Sequence, residues 1–472
     1  MKGNQNSGML TAIITGPDLF SAKRQIKNAK QAEAIEIRLD YLDSIDLEKI
    51  KKLQNYTDKK IIFSLRNKEH GGKYLQHDKK KYFDLTRLFS LKPDFFDLEH
   101  DTSLEFMEKM KNLYPDIKII FSYHNFNYTP DNLDEILQKL KKNPHATFYK
   151  IATYAKSSID ALKILEFIKN NQNENLIAIP MGENGSFVRV VSNIYNNKIT
   201  YVYVDKKNAL GQISIDDMTN VYSIKNINSN TDIFALLGYP TGQSFSHVFH
   251  NSEFLKQEKD AVYVKINLQG HELPIFFSFV KKFPFKGFSV TMPLKEKILS
   301  FITEDLANVD SINTIIIKDE KLLGYNTDGV AALDAIERKM KVKDKKVLLL
   351  GAGGVAKAIA HEAIKRKANL IVLNRNQTKA FDLASKLQCR AYSLDKISEV
   401  MREGYDVIIN ATSSSRENIS IVPFERLVPG TIVMDVVATP VETVLLKNAQ
   451  DKGCLVIYGM EMFINQAKRQ FV

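Results

Sequence analysis

Short apolar runs alternate with longer amphipathic stretches through the first 205 residues of the chain. Intervening segments such as FMEKMKNLY and IDALKILEFIKNN are long enough for a helix and keep their apolar residues on one face. A strand followed by a helix, repeated eight times, predicts a parallel (β/α)8 TIM barrel. The runs that predict its strands are 10–16, 34–40, 61–66, 95–100, 119–124, 147–153, 176–181 and 201–205.

A different pattern begins at KVLLLGAGGVAKAI, residues 346–359, where an apolar strand passes through a glycine-rich turn into a helical pattern. Glycines at such a turn let the backbone approach a pyrophosphate at the helix N-terminus, although a tight turn without any ligand is the alternative. NLIVLNR, YDVIINATS, GTIVMDVVA and CLVIYGM supply further strands, so a Rossmann domain is predicted. Its dinucleotide-binding turn comprises Gly351, Ala352, Gly353, Gly354 and Val355.

The end of the second Rossmann strand indicates which dinucleotide binds. An NAD site places Asp or Glu there to bind the ribose 2′-hydroxyl, but this strand ends in Asn374 and Arg375. Arg375, with Lys379 nearby, would pair with a 2′-phosphate. The sequence therefore predicts NADP(H) rather than NAD as the cofactor.

The remaining segments complete the domain organisation. Residues 220–232 are polar and rich in Asn and Ser, which is typical of a connector, and residues 233–335 form a second α/β segment. The predicted domains are a barrel at 9–222, a linker at 223–232, a substrate-binding domain at 233–335 and a Rossmann domain at 336–472, whose last helix returns to the substrate-binding domain.

Composition narrows the class of protein. The 472 residues are 44% hydrophobic and 26% charged, which is ordinary for a soluble globular protein. Two cysteines provide neither a disulfide framework nor a metal site, and neither a signal peptide nor a membrane span is predicted, so we expect a cytoplasmic protein without a metal. The net charge of +11 is scattered and lacks a nucleic-acid-binding motif, so anionic small molecules are the expected partners of a monomer or homodimer.

Polar residues gather at the C-terminal ends of the predicted barrel strands, where active sites of such barrels are built. Taken singly, each has an ordinary explanation as a surface cation, a structural histidine or a lysine that extends towards the barrel mouth. Their convergence on one rim favours function. The residues are Glu36, Arg38, Arg66, Glu69, Glu99, His124, Lys150 and Arg189.

Lys150 lies inside the apolar run TFYKIATYA. Apolar surroundings and nearby cations favour a neutral amine that attacks a ketone to form an imine. His124 is placed to act as general acid and base, with Glu69 or Glu99 to orient it, while arginines hold a carboxylate. These residues predict an imine-forming lyase or aldolase with an anionic substrate.

The motifs EIRLD, SLRNKEHGG, FSYHNF, YKIATYA, MGENGSFVR and GQIS occur in this order over residues 9–222. This half resembles type I 3-dehydroquinate dehydratase. The resemblance implies that Lys150 forms the imine, that His124 moves protons and that Glu69 supports His124. It also implies that the substrate is held by Glu36, Arg38, Arg66, Arg189 and Gln212. Asn208 departs from the serine that is frequent at its position in the family.

The segment 233–335 carries GYPTGQSFSHVFHN, KGFSVTMPLKEK, SINTI and GYNTDG. Ser244, Ser246 and Asn313 are short hydrogen-bonding residues suited to a polyol carboxylate. Lys295 and Asp328 form an acid–base pair if the fold brings them together, whereas turn or helix-capping roles are the alternative.

Residues 232–472 as a whole resemble shikimate dehydrogenase. The resemblance implies that Lys295 and Asp328 are catalytic and that Ser244 and Ser246 bind the carboxylate. It further implies ring-hydroxyl contacts from Thr291, Asn313 and Gln466, and cofactor contacts from Thr412 and Gly459. Asn376 and Ala438 depart from the threonine and tyrosine common in this family.

Together the resemblances imply a fused enzyme that dehydrates 3-dehydroquinate and reduces the resulting 3-dehydroshikimate to shikimate with NADPH. Three alternatives stay open: only one half is active, the second half oxidises quinate or shikimate with NAD, or enzyme-like domains form a metabolite-sensing regulator. Arg375 argues against NAD. The presence of Lys150, His124, Lys295 and Asp328 together argues against a sensor, which needs no general acids or bases.

Overall fold

The computed structural model describes residues 8–207 and 209–471, so Asn208 lies outside the described residues. Its first part consists of eight strands with intervening helices. They are β1 Met9–Ile14, α1 Leu19–Asn28, β2 Ala34–Arg38, α2 Leu47–Gln54, β3 Lys60–Ser64, α3 Asp78–Phe89, β4 Phe95–Glu99, α4 Leu104–Leu113, β5 Lys118–Asn125, α5 Leu133–Lys141, β6 Phe148–Tyr154, α6 Ser158–Asn170, β7 Leu176–Met181, α7 Ser186–Val191 and β8 Ile199–Tyr203.

These strands form one parallel sheet in the order β7-β6-β5-β4-β3-β2-β1-β8. Residues such as Ile62, Ile120 and Ile177 are fully buried together inside it, which explains why the strands are rich in apolar and β-branched residues. The predicted eight-strand barrel is confirmed. Several helices begin where the sequence provides a cap: before α6, for example, the Ser157 side chain accepts from the Asp160 amide and the Asp160 side chain accepts from the Ser157 amide.

The two ends of the sheet order, β7 and β8, meet at a seam that one side chain bridges. The buried amide of Asn197, just before β8, accepts from the Ala178 backbone N–H at 2.9 Å and donates to the Ala178 carbonyl at 3.2 Å. The Lys198 amide donates to the Leu176 carbonyl at 3.0 Å. The Asn197 side chain therefore supplies at this seam hydrogen bonds that backbone groups of neighbouring strands supply elsewhere in the barrel.

The later part of the chain contains twelve strands and eight helices over its described residues. They are β9 Asp232–Gly238, α8 Ser246–Lys256, β10 Ala261–Asn267, α9 Leu273–Val280, β11 Phe285–Val290, β12 Glu304–Asp305, β13 Thr314–Lys318, β14 Lys321–Tyr325, α10 Asp328–Glu337, β15 Lys346–Leu350, α11 Gly354–Lys365, β16 Asn369–Asn374, α12 Gln377–Leu387, β17 Arg390–Ser393, α13 Ile397–Arg402, β18 Val407–Asn410, β19 Ile432–Asp435, α14 Val444–Asp451, β20 Leu455–Ile457 and α15 Gly459–Gln470.

The chain divides into two compact units. The first runs to Phe234 and includes Asn251–Leu268 and Pro274–Pro284, and the second comprises Ala235–His250, Gln269–Leu273 and the chain from Phe285 onward. In the second unit, a mixed sheet contains the order β9-β11-β13-β14-β12. A separate sheet, β17-β16-β15-β18-β19-β20, has only parallel pairs, which confirms the predicted Rossmann-type domain. No helix in the described ranges is both long and apolar enough to cross a bilayer.

Candidate active sites

Lys150 extends into the interior of the barrel, where it is paired rather than isolated. Its Nζ lies 2.8 Å from Asp97 Oδ2 and 3.9 Å from Glu36 Oε1, and only 5% of Lys150 is exposed. Asp97 also accepts from Arg66 Nη2 at 3.0 Å and from Ser122 Oγ at 2.7 Å. Burial alone would raise the pKa of Asp97, but the charges of Arg66 and Lys150 and these hydrogen bonds lower it below its usual value.

His124, at the end of β5, lies against the same group of cations. Arg66 Nη1 is 2.9 Å from His124 Nδ1 and 3.1 Å from Nε2, and the Phe126 ring stacks on the imidazole with centroids 5.8 Å apart. Burial, then the positive charges of Arg66, Lys150, Arg38 and His70, holds the pKa of His124 well below its usual value. The imidazole is therefore neutral at neutral pH and available as a base.

The structure does not bring the predicted carboxylates to His124. Glu69 is exposed in the turn Lys68–His70, and its carboxylate makes no contact with His124 among the described residues. Glu99 is buried and forms an ion pair with Lys81, while its other oxygen accepts from the Asn67 amide at 2.8 Å. Arg66 stands where the sequence predicted a carboxylate partner.

Glu99 is also one of three neighbouring residues of a type that can bind a metal ion. Donor atoms of His70, Glu99 and Asp101 lie within 4.8 Å of one another. However, both Glu99 oxygens are engaged, and His70 Nε2 is 3.0 Å from Asp101 Oδ2. We assign no metal to these residues.

The three predicted carboxylate-binding arginines differ in what they already bind. Arg38 holds Asp40 with two hydrogen bonds of 2.9 and 2.7 Å, and this pairing raises the pKa of Arg38 despite its burial. Arg66 is bound to Asp97. Arg189, in α7, is buried with an Nε that lacks a hydrogen-bond partner among the described residues, and burial lowers its pKa to about 10. Arg189 is thus the arginine best prepared to receive a new carboxylate.

Gln212 lies in the loop after β8. Its Oε1 accepts from the Ala209 amide at 3.1 Å, and the neighbouring Gly211 has a φ of +78°. A Cβ at Gly211 would stand 1.9 Å from the Gly182 carbonyl oxygen. Close backbone packing against the loop after β7 therefore fixes this predicted substrate residue near the barrel rim.

In the second unit, the half-buried Lys295 and the buried Asp328 form an ion pair, as the sequence predicted if the fold brought them together. Asn313 orients the carboxylate, because its Nδ2 donates to Asp328 Oδ1 at 2.9 Å. Asn313 is itself held by the Thr327 amide at 2.9 Å and by Thr314 Oγ1 at 2.8 Å, both of which donate to its Oδ1. The pair is therefore held in one orientation by turns around β13 and α10.

A cavity of about 230 Å³ opens beside this pair. Ser244 and Ser246 line it with their hydroxyls 2.9 Å apart, and Ala438, one of the noted departures, forms part of its wall. The structure brings together at this cavity ten of the residues predicted for substrate and cofactor: Ser244, Ser246, Thr291, Lys295, Asn313, Asp328, Val355, Thr412, Gly459 and Gln466.

The turn between β15 and α11 has the geometry of a nucleotide-binding loop. Gly351 has a φ of +117°, and a Cβ there would stand 3.0 Å from the Ala411 carbonyl oxygen, so a side chain does not fit. A Cβ at Gly354 would stand 2.7 Å from Ser311 Oγ, whereas Gly353 faces open space. Bare backbone thus faces outward at the N-terminus of α11, as an incoming diphosphate requires.

The two cations predicted to read a 2′-phosphate are both exposed near this turn. Arg375 follows β16, and Lys379 lines a cavity of about 460 Å³ together with Ala352 of the glycine turn. Asn376 caps α12 by accepting from the Lys379 amide at 3.2 Å, and Asn374 donates to the Asn376 carbonyl at 2.9 Å. The departure at Asn376 therefore has a structural role, while Arg375 and Lys379 remain accessible to an anion.

Asp97 was not among the residues predicted from the sequence. The signal was present in the run FFDLEH, because residues 97 and 99 lie two apart on a strand and share a face. A buried lysine also demands a counter-ion. Asp97 meets Lys150 across the barrel from β4 to β6, and no local pattern pairs two positions 53 residues apart.

Three stretches of the chain match families of known proteins. Residues 10–229 match the family of type I 3-dehydroquinases, residues 236–315 the shikimate dehydrogenase substrate binding domain, and residues 334–443 the shikimate/quinate 5-dehydrogenases. The chain is 31% identical to the "shikimate biosynthesis protein AroDE" of Chlamydia pneumoniae, covering 98% of this chain and 94% of that protein.

Of two further relatives, one matches nearly the whole chain and the other about half of it. A chloroplastic bifunctional 3-dehydroquinate dehydratase/shikimate dehydrogenase of Arabidopsis thaliana is 31% identical, covering 97% of this chain and 82% of that protein. A shikimate dehydrogenase (NADP(+)) of Pyrococcus furiosus is 40% identical, covering 52% of this chain and 90% of that protein.

Proposed function

Because the chain belongs to the family of bifunctional 3-dehydroquinate dehydratase/shikimate dehydrogenases, we propose that it carries out both reactions with the residues described above. The barrel dehydrates 3-dehydroquinate to 3-dehydroshikimate. The second reaction reduces 3-dehydroshikimate to shikimate. The observation that supports the proposal is that each half pairs a lysine of low exposure with a buried aspartate.

In the barrel, the Lys150 amine adds to the substrate ketone, and with one proton taken up from solvent the ketone oxygen leaves as water and an iminium ion forms. The iminium acidifies the neighbouring carbon, and His124, neutral because its pKa is depressed, takes the proton from that carbon. His124 then returns this proton to the departing hydroxyl, which leaves as water. Hydrolysis of the imine releases 3-dehydroshikimate and restores the amine.

Substrate binding in the barrel follows from which groups are already engaged. Arg38 already holds Asp40 with two hydrogen bonds, so Arg189, with its unpaired Nε, holds the substrate carboxylate and Gln212 assists from the adjacent loop. Glu36, which has an unpaired buried oxygen, accepts hydrogen bonds from substrate hydroxyls. Arg66 orients His124, a role assigned to Glu69 by family resemblance.

Borohydride trapping tests the barrel mechanism. Reduction in the presence of 3-dehydroquinate is expected to leave a stable adduct on Lys150, visible by peptide mass spectrometry, and to inactivate the dehydratase. Lys150→Met is the control and should acquire no adduct. An active wild-type enzyme that forms no adduct at Lys150 would overturn the mechanism.

In the second half, the ion pair of Lys295 and Asp328 exchanges a proton with the reacting oxygen of the substrate. Ser244 and Ser246 bind its carboxylate, while Thr291, Asn313 and Gln466 bind ring hydroxyls around the same cavity. Lys295 also provides a positive charge next to the oxygen as negative charge develops on it.

The glycine turn and its neighbours fit NADP(H). Gly351, Gly353 and Gly354 expose the backbone to the diphosphate, with Ala352 and Val355 in the same turn. Thr412 and Gly459, which line the substrate cavity, would hold the nicotinamide end, and Asn374, Arg375 and Lys379 at and after the end of β16 would hold the 2′-phosphate. When bound, the cofactor supplies the hydride for reduction.

Arg375→Asp tests the cofactor assignment, because a carboxylate repels the 2′-phosphate that the guanidinium would bind. The preference for NADPH over NADH, measured as a ratio of kcat/KM values, should fall by about 10- to 100-fold, the size of one lost charged hydrogen bond. Arg375→Lys is the matched control and should retain most of the preference. An unchanged ratio in Arg375→Asp would refute the assignment and favour the NAD-dependent alternative.

A coupled assay addresses the alternative that only one half is active. Incubation of 3-dehydroquinate with NADPH should yield shikimate, and inactivation of either half by Lys150→Met or Lys295→Met should stop the sequence at the corresponding step. Accumulation of 3-dehydroshikimate by the wild-type enzyme would show that the second half is inactive.

A further inference from the structure

Tyr201 is a buried phenol whose hydroxyl group has no hydrogen-bond partner among the described residues. The residue lies in β8, opposite Thr11 of β1, and its side chain joins the apolar cluster inside the barrel with only 4% of the residue exposed. Burying a hydroxyl without a partner costs free energy, and phenylalanine would fill the same space without that cost. The hydroxyl therefore needs an explanation.

The Tyr201 ring lies against the side-chain nitrogen of Lys150. Lys150 Nζ lies 4.3 Å from the centre of the ring, within the range of a cation–π interaction. The ring face carries negative electrostatic potential, so it stabilises positive charge on the Lys150 nitrogen. This charge is present in the ammonium and again in the iminium that the dehydration requires.

A second unpaired atom lies close to the same nitrogen. Glu36 Oε1 is buried without a hydrogen bond and stands 3.9 Å from Lys150 Nζ. A carboxylate accepts hydrogen bonds, and a phenol donates one. The same reactive nitrogen thus lies near a carboxylate oxygen that can still accept a hydrogen bond and against the ring of a phenol that can still donate one. A polyol hydroxyl both donates and accepts, so it is the kind of group that pairs with them.

We propose that Tyr201 contacts the substrate of the dehydratase. Its ring supports the positive charge on the Lys150 nitrogen, and its hydroxyl donates a hydrogen bond to a substrate hydroxyl that is held by Glu36. This inference rests on the proposed role of Lys150 as the imine-forming residue.

The charges around Tyr201 determine which hydrogen-bonding role it plays. Burial, then the negative charges of Glu36 and Asp97, raises the pKa of Tyr201 well above its usual value, against smaller opposing effects of Arg66 and Arg38. The phenol is therefore protonated throughout the working pH range. It donates a hydrogen bond and does not act as a base, which leaves proton abstraction to His124.

Two substitutions separate the ring from the hydroxyl. Tyr201→Phe keeps the ring and should lower kcat/KM for 3-dehydroquinate about tenfold, mainly by raising KM, since one substrate hydrogen bond is lost. Tyr201→Leu removes the ring as well, so the fraction of chains trapped on Lys150 at limiting borohydride should fall about fivefold relative to Tyr201→Phe.

The controls distinguish contact with the substrate from a structural role. Tyr195→Phe removes the hydroxyl of another buried tyrosine, which packs against Phe283, and should leave kcat/KM for dehydration unchanged. Urea unfolding of the same chains reports whether the barrel is intact. Equal losses in Tyr195→Phe and Tyr201→Phe, or a Tyr201→Phe enzyme within twofold of wild type, would overturn the role of the hydroxyl.

The same experiment keeps the two proposals apart. Equal trapping in Tyr201→Leu and Tyr201→Phe would overturn the role of the ring while leaving Lys150 as the imine residue. Wild-type enzyme that yields no adduct would instead reject the imine at Lys150 and the role of the ring with it. The Tyr201→Phe kinetics would still decide whether the hydroxyl contacts the substrate.

Discussion

Each half of the molecule pairs a lysine with a buried aspartate, and the two pairs differ in their surroundings. Asp97 is fully buried and accepts from Lys150, Arg66 and Ser122, so its carboxylate is a saturated counter-ion. Asp328 pairs with Lys295 at the wall of a cavity that both residues line. The roles proposed above, an anchored nucleophile in the barrel and an acid–base pair beside the cavity, follow this difference in surroundings.

The largest expected effect comes from removing each lysine in turn. Lys150→Ala should lower dehydration by roughly 10³-fold or more and leave shikimate oxidation intact, while Lys295→Ala should do the reverse, because each removes a reacting group from one site only. Separate steady-state assays of the two reactions measure this. Loss of both activities in either variant would contradict the independence of the two sites.

Replacing Asp97 or Asp328 by asparagine tests whether each aspartate acts as a counter-ion or as a catalytic group. Asp97→Asn removes the negative charge that lies closest to the buried Lys150 and Arg66 and leaves only Glu36, 3.9 Å from Lys150, so it should lower dehydration about 100-fold and the free energy of unfolding by about 3 kcal/mol. Asp328→Asn should reduce dehydrogenase activity to a similar extent with a smaller loss of stability, since Lys295 faces the cavity. Urea unfolding combined with both assays tests the contrast, which fails if both variants lose equal stability.

A smaller effect is expected from the amide that orients Asp328. Asn313→Ala removes the donor to Asp328 Oδ1 while the Lys295 contact to Oδ2 remains, so kcat for shikimate oxidation should fall about tenfold. Ser122→Ala is the matched change in the barrel, where Asp97 keeps two charged donors, and its effect on dehydration should be weaker. A larger loss in Ser122→Ala would show that Asp97 is not saturated as the contacts indicate.

The pH dependence of dehydration provides the finest test. The pKa of His124 is depressed, so the imidazole stays neutral until the pH falls well below the usual histidine value of about 6.5. The activity should therefore decline only as the pH falls through this lowered pKa. Arg38→Gln removes a nearby positive charge, which raises the pKa of His124 and should move the decline to higher pH. A wild-type decline at or above pH 6.5 would contradict this electrostatic account.

The strands and the turn geometry could be predicted because they are local. Apolar runs placed all eight barrel strands, and the glycine spacing placed the β15–α11 turn. Contacts between distant residues were harder. Lys150 was identified as out of place in an apolar strand, but its partner Asp97 comes from two strands away.

Glu69 is a second case in which the sequence did not predict a side-chain contact correctly. Its position in the motif suggested support for His124, yet the turn that carries it leaves the side chain exposed, and Arg66 makes the contact instead. A motif records which residue types occur in order, whereas the direction of a side chain depends on the backbone of the turn. For this reason, the sequence identified the members of the site better than their pairings.

The Asn197 bridge at the barrel seam has a consequence for local opening. Elsewhere in the barrel, adjacent strands must separate to break a hydrogen-bonded ladder, but at the seam a change of one side-chain rotamer frees the Ala178 backbone groups. Amide exchange at Ala178 therefore proceeds through a small fluctuation rather than through unfolding of the sheet. Closure of the ring between β7 and β8 thus relies on two side-chain hydrogen bonds from Asn197 beside the backbone bond from Lys198 to Leu176, and a substitution of Asn197 removes the first two.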